Sequence, residues 1–174
     1  MSGAHPESSD PGDLAVRYGR LVFRAAYRVL GDAAQAEDVQ QEVFLRLLQS
    51  PRKDVTSWPA WLTTSATRLA IDALRRRRRW WAFVPQWTVQ AEVASGSAEE
   101  AGIEAEQAAR LRAALGRLSR REAQCFALRY LDGLPLPEVA AALRLTENNV
   151  GVILHRARRR LETLLRDTNE EVRA

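Results

Sequence analysis

Apolar residues recur every three to four positions through the first 79 residues, which is the period of helices that bury one face. A first helix is predicted from Leu14 to Val29, where Gly31 stops it and Asp32 can cap a second helix. The buried side of the second helix is predicted to carry Ala36, Val39, Val43, Phe44, Leu47 and Leu48. A third helix is predicted from near Pro59 into the arginine run at 75–79. Its predicted buried face is Leu62, Ala66, Leu69 and Ala73.

A second periodic region ends in a helix-turn-helix pattern. Ser119 is predicted to cap a helix over 120–131, and a short helix follows over 137–143. Thr146 is predicted to cap a final helix that runs to about residue 165. No segment alternates with period two for long enough to predict a strand, so the predicted fold is all-α.

Charge divides the chain into three blocks. Residues 1–79 and 106–174 each hold 13 basic and 9 acidic residues, whereas 80–105 holds four glutamates and no basic residue. This pattern predicts two small helical domains joined by a flexible acidic linker, the second domain ending in the helix-turn-helix. A single helical domain with a surface loop is the alternative. The predicted organisation is a disordered N-terminus (1–12), a first domain (13–79), the linker (80–105), a second domain (106–166) and a disordered tail (167–174).

Composition narrows the class of function. All but one of the 26 basic residues are arginines, whose planar fork of donors suits phosphates and guanine edges, so an anionic partner is expected. Cys125 is the only cysteine, which excludes an internal disulfide, and the two distant histidines give no metal motif, so neither metal nor cofactor is expected. No apolar run approaches the ~20 residues of a membrane span and no signal peptide opens the chain, which predicts a soluble, cytoplasmic protein without membrane insertion. The sequence contains no GxG, P-loop, HExxH or GxSxG motif, so an enzyme is disfavoured.

The predicted final helix has an apolar back and a polar front. At 3.6 residues per turn, its front carries Asn148, Val152, His155 and Arg159, with Asn149 and Arg156 at the edges. Such a helix can enter a major groove, where asparagine pairs with adenine and arginine with guanine or phosphate. An ordinary solvated helix face would show a similar pattern and is the alternative.

Four short motifs carry a family resemblance. Residues 36–44 read AEDVQQEVF, close to a family motif AEDLVQETF, and Trp61-Leu62 followed by DALRR at 72–76 matches the frame WL…DxLRR. RYLDGL at 129–134 and LHRAR at 154–158 match RYLEGL and LHRAR. In this order the motifs resemble those of the extracytoplasmic-function (ECF) sigma factors of bacteria, and they cover roughly residues 14–79 and 106–162.

The resemblance implies promoter recognition by a factor that binds core RNA polymerase, contacts the −10 and −35 promoter elements and helps to open the duplex. The family's acidic helix docks on polymerase, which assigns that contact here to Glu37, Asp38, Gln41 and Glu42. Many relatives are held inactive by an anti-sigma factor, so such a protein is a further expected partner. The alternative is a helix-turn-helix regulator that binds an operator without polymerase, although such a protein has no need of the first block.

The resemblance also assigns DNA contacts. In the family the loop before the third helix captures a flipped base, and such a pocket needs aromatic walls and polar groups that read the base edge. Trp61 is interpreted as a core residue rather than a wall of this pocket. The predicted −10 contacts are Lys53, Asp54, Thr56, Trp58, Arg68, Arg75, Arg76 and Arg79. The predicted −35 contacts are Thr146, Asn148, Asn149, Val152, His155, Arg156 and Arg159.

Four positions depart from the family pattern. Residues 65–68 read SATR where the family has IARN, and LPLP at 134–137 replaces a helix-capping serine. Arg144 stands at the usual turn glycine, where a left-handed conformation would cost about 1 kcal/mol. Residues 148–153 read NNVGVI in place of GTVKSR, which removes a lysine and an arginine, so the family's common upstream sequence is not expected.

Overall fold

The computed structural model describes residues 10–52, 54–83 and 99–173. All regular structure in these ranges is helical, which confirms the predicted all-α fold. The seven α-helices are α1 (Pro11–Leu30), α2 (Ala33–Gln49), α3 (Trp58–Phe83), α4 (Glu99–Arg117), α5 (Arg120–Phe126), α6 (Leu136–Leu143) and α7 (Glu147–Arg173). A π-helical turn, Ala127–Leu131, continues α5.

Helical backbone reaches into segments for which no regular structure was predicted. The predicted linker is helical at both ends, because α3 continues to Phe83 and α4, a helix without a predicted counterpart, begins at Glu99. Helix α7 extends to Arg173, through most of the predicted disordered tail. Residues 1–9 and 84–98 of the predicted N-terminus and linker lie outside the described residues.

The chain divides into two compact units, Met1–Ala70 and Ile71–Ala174. The division falls inside α3, nine residues before the boundary predicted after residue 79, so the arginine-rich end of α3 belongs to the second unit.

The first unit is built on the connection between α1 and α2. Gly31 ends α1 in a left-handed conformation (φ 65°), and its N–H donates to the Tyr27 carbonyl at 2.8 Å. Asp32 then caps α2, its carboxylate accepting from the Gln35 N–H at 2.9 Å, so both predicted boundary residues are confirmed. Apolar residues from all three helices are buried in this unit, among them Val22, Val29, Val43, Leu47, Leu62 and Ala66.

Three of the predicted buried positions are not fully buried. Leu48 is 58% exposed, because it lies beyond the edge of the buried stripe of α2. On α3, Leu69 and Ala73 are only half-buried. The buried side of α3 instead includes Thr67, Ala70, Ile71 and Leu74. Both stripes of α3 are apolar, so periodicity alone could not choose between them.

The second unit holds the helix-turn-helix around one apolar core. Ser119 and Glu122 form a capping box at the start of α5: the Ser119 hydroxyl accepts from the Glu122 N–H at 3.3 Å, and the Glu122 carboxylate accepts from the Ser119 N–H at 2.9 Å. The core beneath the helix-turn-helix is formed by Cys125, Leu128, Val139, Ala140, Leu143, Val150 and Leu154.

The turn between α6 and α7 adopts a left-handed backbone conformation, which is costly for the arginine that stands there in place of glycine. Helix α6 begins after Pro135 with no side-chain cap, and it ends at Arg144 in a left-handed conformation (φ 54°). Two contacts offset this cost: the Leu145 N–H donates to the Ala140 carbonyl at 2.9 Å, and Arg121 donates to the Leu143 carbonyl at 2.9 Å. The turn thus keeps its shape without glycine.

The end of α3 is tied to the segment between α4 and α5. Arg120 forms two hydrogen bonds with the Asp72 carboxylate, at 2.7 and 2.6 Å, and Arg75 donates to the Leu118 carbonyl. Burial lowers the pKa of Arg75, and the neighbouring guanidinium of Arg79 lowers it further.

Candidate nucleic-acid and protein interfaces

The front of α7 is exposed and polar, as predicted. The exposed residues of this front are Asn148, Asn149, His155, Arg156 and Arg159. Val152, at 44% exposure, adds an apolar side chain to the front. The back of the helix, Val150, Leu154, Ala157 and Leu161, is buried. Helix α7 therefore presents a continuous surface of side chains that can pair with base edges and phosphates.

Thr146 has a different role from the residues that follow it. Its hydroxyl accepts a hydrogen bond from the Asn149 N–H at 3.2 Å, which caps α7. Within the described residues, the side-chain amides of Asn148 and Asn149 have no hydrogen-bond partner. The helix end is thus capped by the threonine, and both asparagine amides are available to a ligand.

Four arginines on or near the front of α7 differ in what they contact. Arg158 lies over the Tyr130 ring, with its guanidinium carbon 4.9 Å from the ring centroid, and also donates to the Tyr130 hydroxyl. Arg160 pairs with Glu122 at 3.1 Å. Arg156 and Arg159, predicted as DNA contacts, are exposed at the front with no such bond in the described chain.

Glu122 is held ionised at the base of this surface. Although burial alone would raise the pKa of its carboxyl, hydrogen bonds from Ser119 and the nearby charges of Arg160 and Arg156 hold that pKa below its ordinary value. The capping box is therefore intact at neutral pH.

The predicted base pocket before α3 differs from the expectation. Trp58 is 4% exposed and packs edge-on against Trp61, with 6.0 Å between ring centroids. Trp61 is half-buried, so the structure reverses the two assignments: Trp58 is the core residue, and Trp61 is the one that a ligand could reach. Asp54 and Thr56 are exposed, and Lys53 lies outside the described residues.

The arginine run at the end of α3 does not act as one surface. Arg75, predicted as a −10 contact, donates a hydrogen bond to the Leu118 carbonyl, which leaves fewer of its donors available to DNA. Arg76 and Arg79 are exposed, as is Arg68 one turn before Asp72. Five successive residues point around the whole circumference of a helix, which is why only part of the run can face one ligand.

The exposed face of α2 is less acidic and more apolar than predicted. Glu37, Asp38 and Gln41 are exposed, but the Glu42 carboxylate accepts a hydrogen bond from Arg46, one turn later. Leu45 and Leu48, at 50% and 58% exposure, share the side of the helix that carries Glu37 and Gln41. Leu48 was predicted to be buried and Leu45 was not singled out, although the angular position of both residues on the helix was sufficient to indicate their exposure. We call Glu37, Asp38, Gln41, Leu45 and Leu48 the α2 surface.

The described part of the chain shows neither a metal-binding cluster nor a membrane-spanning helix. No group of three or more histidine, cysteine, aspartate or glutamate side chains there is placed to hold a metal ion. None of the described helices combines the length and apolarity that a membrane crossing requires.

Comparison with known proteins places these surfaces in a family. Two family models match in chain order, sigma-70 region 2 over residues 14–80 and sigma-70 region 4 over residues 108–161. The ECF RNA polymerase sigma factor SigL of Mycobacterium tuberculosis is 34% identical over 157 residues, which cover 86% of this chain and 85% of SigL. The ECF RNA polymerase sigma factor BldN of Streptomyces coelicolor is 31% identical over 159 residues, which cover 90% of this chain but 60% of BldN. This chain therefore spans less than two thirds of BldN.

A solved structure shares the fold. The sigma factor RpoE in complex with the anti-sigma factor NepR from Bartonella quintana matches with a TM-score of 0.55 at 20% identity, covering 91% of this chain and 98% of that one. A chain in which sigma-70 region 2 precedes sigma-70 region 4 is a protein of the sigma-70 class. Within that class, this chain belongs to the ECF RNA polymerase sigma factors, which confirms the resemblance carried by the four motifs.

Proposed function

We propose that this protein is an alternative sigma factor that binds core RNA polymerase, directs initiation at promoters with −10 and −35 elements and assists in opening the duplex. The observation that carries the proposal is the free front of α7 in a chain that also bears a region 2 match. The protein acts by binding rather than by catalysis, without a cofactor or metal, and it works in the bacterial cytoplasm, where polymerase meets DNA. A domain over 13–79 meets polymerase and the −10 element, one over 106–166 meets the −35 element, and 80–105 connects them.

The α2 surface is the proposed polymerase contact. Two exposed leucines near the end of α2 follow two carboxylates and an amide on the same side of the helix, so apolar and polar groups lie side by side, as they do at protein interfaces. In a protein that also binds DNA, exposed carboxylates repel phosphates, so this side of the molecule suits a protein partner. Glu42, paired with Arg46, lies at the edge of this surface and contributes less net charge than the sequence implies.

The proposed −10 contacts are the exposed members of the predicted set. Asp54 and Thr56 lie in the loop before α3, and Arg68, Arg76 and Arg79 lie along α3. The half-buried Trp61 replaces Trp58 as the aromatic group that an unstacked base could meet.

The proposed −35 contacts are the residues on the front of α7. Asn148, Asn149, Val152 and His155 lie in its first three turns, the part of a recognition helix that reaches base edges, and Arg156 and Arg159 follow for guanine or phosphate. Thr146 belongs to this set as the cap that holds the helix start, since its hydroxyl is already used by the Asn149 N–H.

An anti-sigma factor is a further proposed partner. The solved relative RpoE is in complex with an anti-sigma factor. In this chain, an exposed surface such as the α2 surface could bind a protein of that kind. Such a partner would have to compete with polymerase or DNA for one of the proposed surfaces.

The test is transcription with purified components. The chain is mixed with bacterial core polymerase and assayed for co-purification and for transcripts from a library of genomic fragments. We expect a stable complex and a defined set of start sites that share an upstream and a downstream motif. A chain that binds DNA fragments specifically but neither co-purifies with core polymerase nor initiates transcripts would instead be an operator-binding regulator.

A further inference from the structure

A cleft in the second unit is lined by four arginines. Its volume is about 450 Å3, and it opens between the end of α3, the end of α4 and the middle of α7. The residues that line it are Arg78, Arg117, Arg159, Arg160, Thr163 and Leu164. We call this space the arginine cleft.

The charge of the arginine cleft is not neutralised from within. Arg160 pairs with Glu122 at 3.1 Å, but Arg78, Arg117 and Arg159 have no carboxylate partner in the described chain. The carboxylate of Asp72, which lies on the same helix as Arg78, is paired with Arg120. Three guanidinium groups around one space repel one another unless an anion lies between them.

The backbone near the cleft leaves room for one of these arginines. Gly116 is buried in α4, and a Cβ at this position would lie 3.6 Å from Arg78 Cδ and 3.7 Å from Leu74 Cγ. The aliphatic part of Arg78 thus rests directly on the α4 backbone beside Arg117, and a side chain larger than a methyl group would displace it.

The donors of the cleft select the ligand. Arginine presents a rigid fork that forms paired hydrogen bonds with phosphate oxygens, whereas a single chloride or carboxylate leaves most of these donors unused. The Thr163 hydroxyl donates to the Arg159 carbonyl at 3.1 Å, so the arginines are the principal donors. We propose that the arginine cleft is a binding site for a polyphosphate, an anion with two or more linked phosphate groups that span Arg78, Arg117 and Arg159.

This proposal goes beyond the proposed promoter function, and it is tested without polymerase or promoter. Binding of inorganic tripolyphosphate to the full chain is measured by calorimetry at a fixed ionic strength of about 0.15 M, where exposed single charges are largely screened. The test variant is Arg78→Gln/Arg117→Gln. The control, Arg20→Gln/Arg24→Gln, removes the same charge from two exposed positions of α1 in the first unit.

We expect the cleft variant to bind tripolyphosphate at least about tenfold more weakly, which corresponds to ~1.4 kcal/mol, and the control to bind like the natural chain. The conservative variant Arg78→Lys/Arg117→Lys keeps the charge but loses the forks, and we expect it to lose affinity severalfold. It also provides the comparison if the glutamine variant fails to fold, as judged by circular dichroism. Equal losses in the cleft and control variants, full affinity in the lysine variant, or no binding by the natural chain would overturn the proposal.

A second arm identifies the source of the phosphates. A duplex without promoter sequence is added to the tripolyphosphate complex. Displacement that is weaker in the cleft variant supports the backbone of a nucleic acid as occupant, whereas retention of tripolyphosphate supports a free polyphosphate. Either result supports a phosphate site, and neither depends on core polymerase, so failure here is distinguishable from failure of the sigma-factor proposal.

Discussion

Asn148 and Asn149 carry side-chain amides that the described chain leaves unused. We predict that one of them reads adenine through a bidentate pair, worth ~1–3 kcal/mol of discrimination. Replacing that asparagine by alanine should relax sequence preference at one or two upstream positions and leave downstream recognition unchanged, as measured by promoter-library selection. Because Thr146 already caps α7, thermal stability should change little. An unchanged upstream logo together with lower stability in both alanine variants would show that the asparagines are structural.

Two glycines of the helix-turn-helix region should respond in opposite directions to alanine. Gly151 lies inside α7, and a Cβ there would meet nothing within 4 Å. Gly151→Ala should therefore stabilise the protein by about 0.5–1 kcal/mol, since glycine is a poor helix former. Gly133 has φ +74°, so Gly133→Ala should destabilise the protein by roughly 1 kcal/mol despite the open space around it. Urea unfolding of both variants decides the matter, and shifts of the same sign would contradict this account.

At the scale of the element, the α2 surface combines charge with apolar area on one helix. We predict that Asp38→Arg/Glu42→Arg abolishes binding to core polymerase while the fold is retained. Replacing two carboxylates by guanidinium groups makes this side of α2 positive, which removes its charge complementarity with the partner. Leu45→Ala/Leu48→Ala should weaken binding with no comparable change in charge, since both leucines are half-exposed or more.

The matched control for the leucines is Val16→Ala, which truncates a 91% exposed residue of α1. Co-purification with core polymerase provides the measurement, with circular dichroism as the check on folding. If the folded charge-reversal variant co-purifies as well as the natural chain, α2 is not the polymerase contact.

At the scale of the whole molecule, phosphate contacts should appear in the salt dependence of promoter binding by the holoenzyme. Each lost contact flattens the slope of log affinity against log salt by about 0.9. Arg76→Gln/Arg79→Gln, which changes two exposed residues, should flatten it by about two such steps. Arg75→Gln should leave the slope unchanged and lower stability instead, because Arg75 is bonded to the Leu118 carbonyl. Equal slopes for the double variant and the natural holoenzyme would assign these two arginines another role.

Unfolding of the second unit can be followed through its single cysteine. Burial raises the pKa of the Cys125 thiol to about 11, although Arg121 opposes the shift. Because the folded pKa is raised, this group stabilises the fold below the ordinary thiol pKa, and that contribution is lost as the pH rises toward 11. At pH 8, alkylation of Cys125 should therefore be slow in the folded protein and accelerate with the urea transition seen by circular dichroism. A folded protein that is alkylated as fast as the unfolded chain would contradict this burial.

The sequence by itself determined the family, every described α-helix except α4, and four of the helix caps. Gly31, Asp32, Ser119 and Thr146 act within one turn of their own position, so local chemistry is enough to predict what they do. The motifs that carry the ECF resemblance are also short and contiguous, and the front of α7 follows from its period alone.

Only the tertiary structure decided which side chains remain available. Arg75 and Trp58 have the residue types that their predicted roles require, but Arg75 is hydrogen-bonded to a carbonyl 43 residues away and Trp58 is only 4% exposed. The arginine cleft unites residues from three helices, 78 to 164 in the sequence, and no local pattern reports such a meeting. The helical period determines on which side of its own helix a side chain lies. Whether that side chain can reach a ligand depends on which other residues pack against that side.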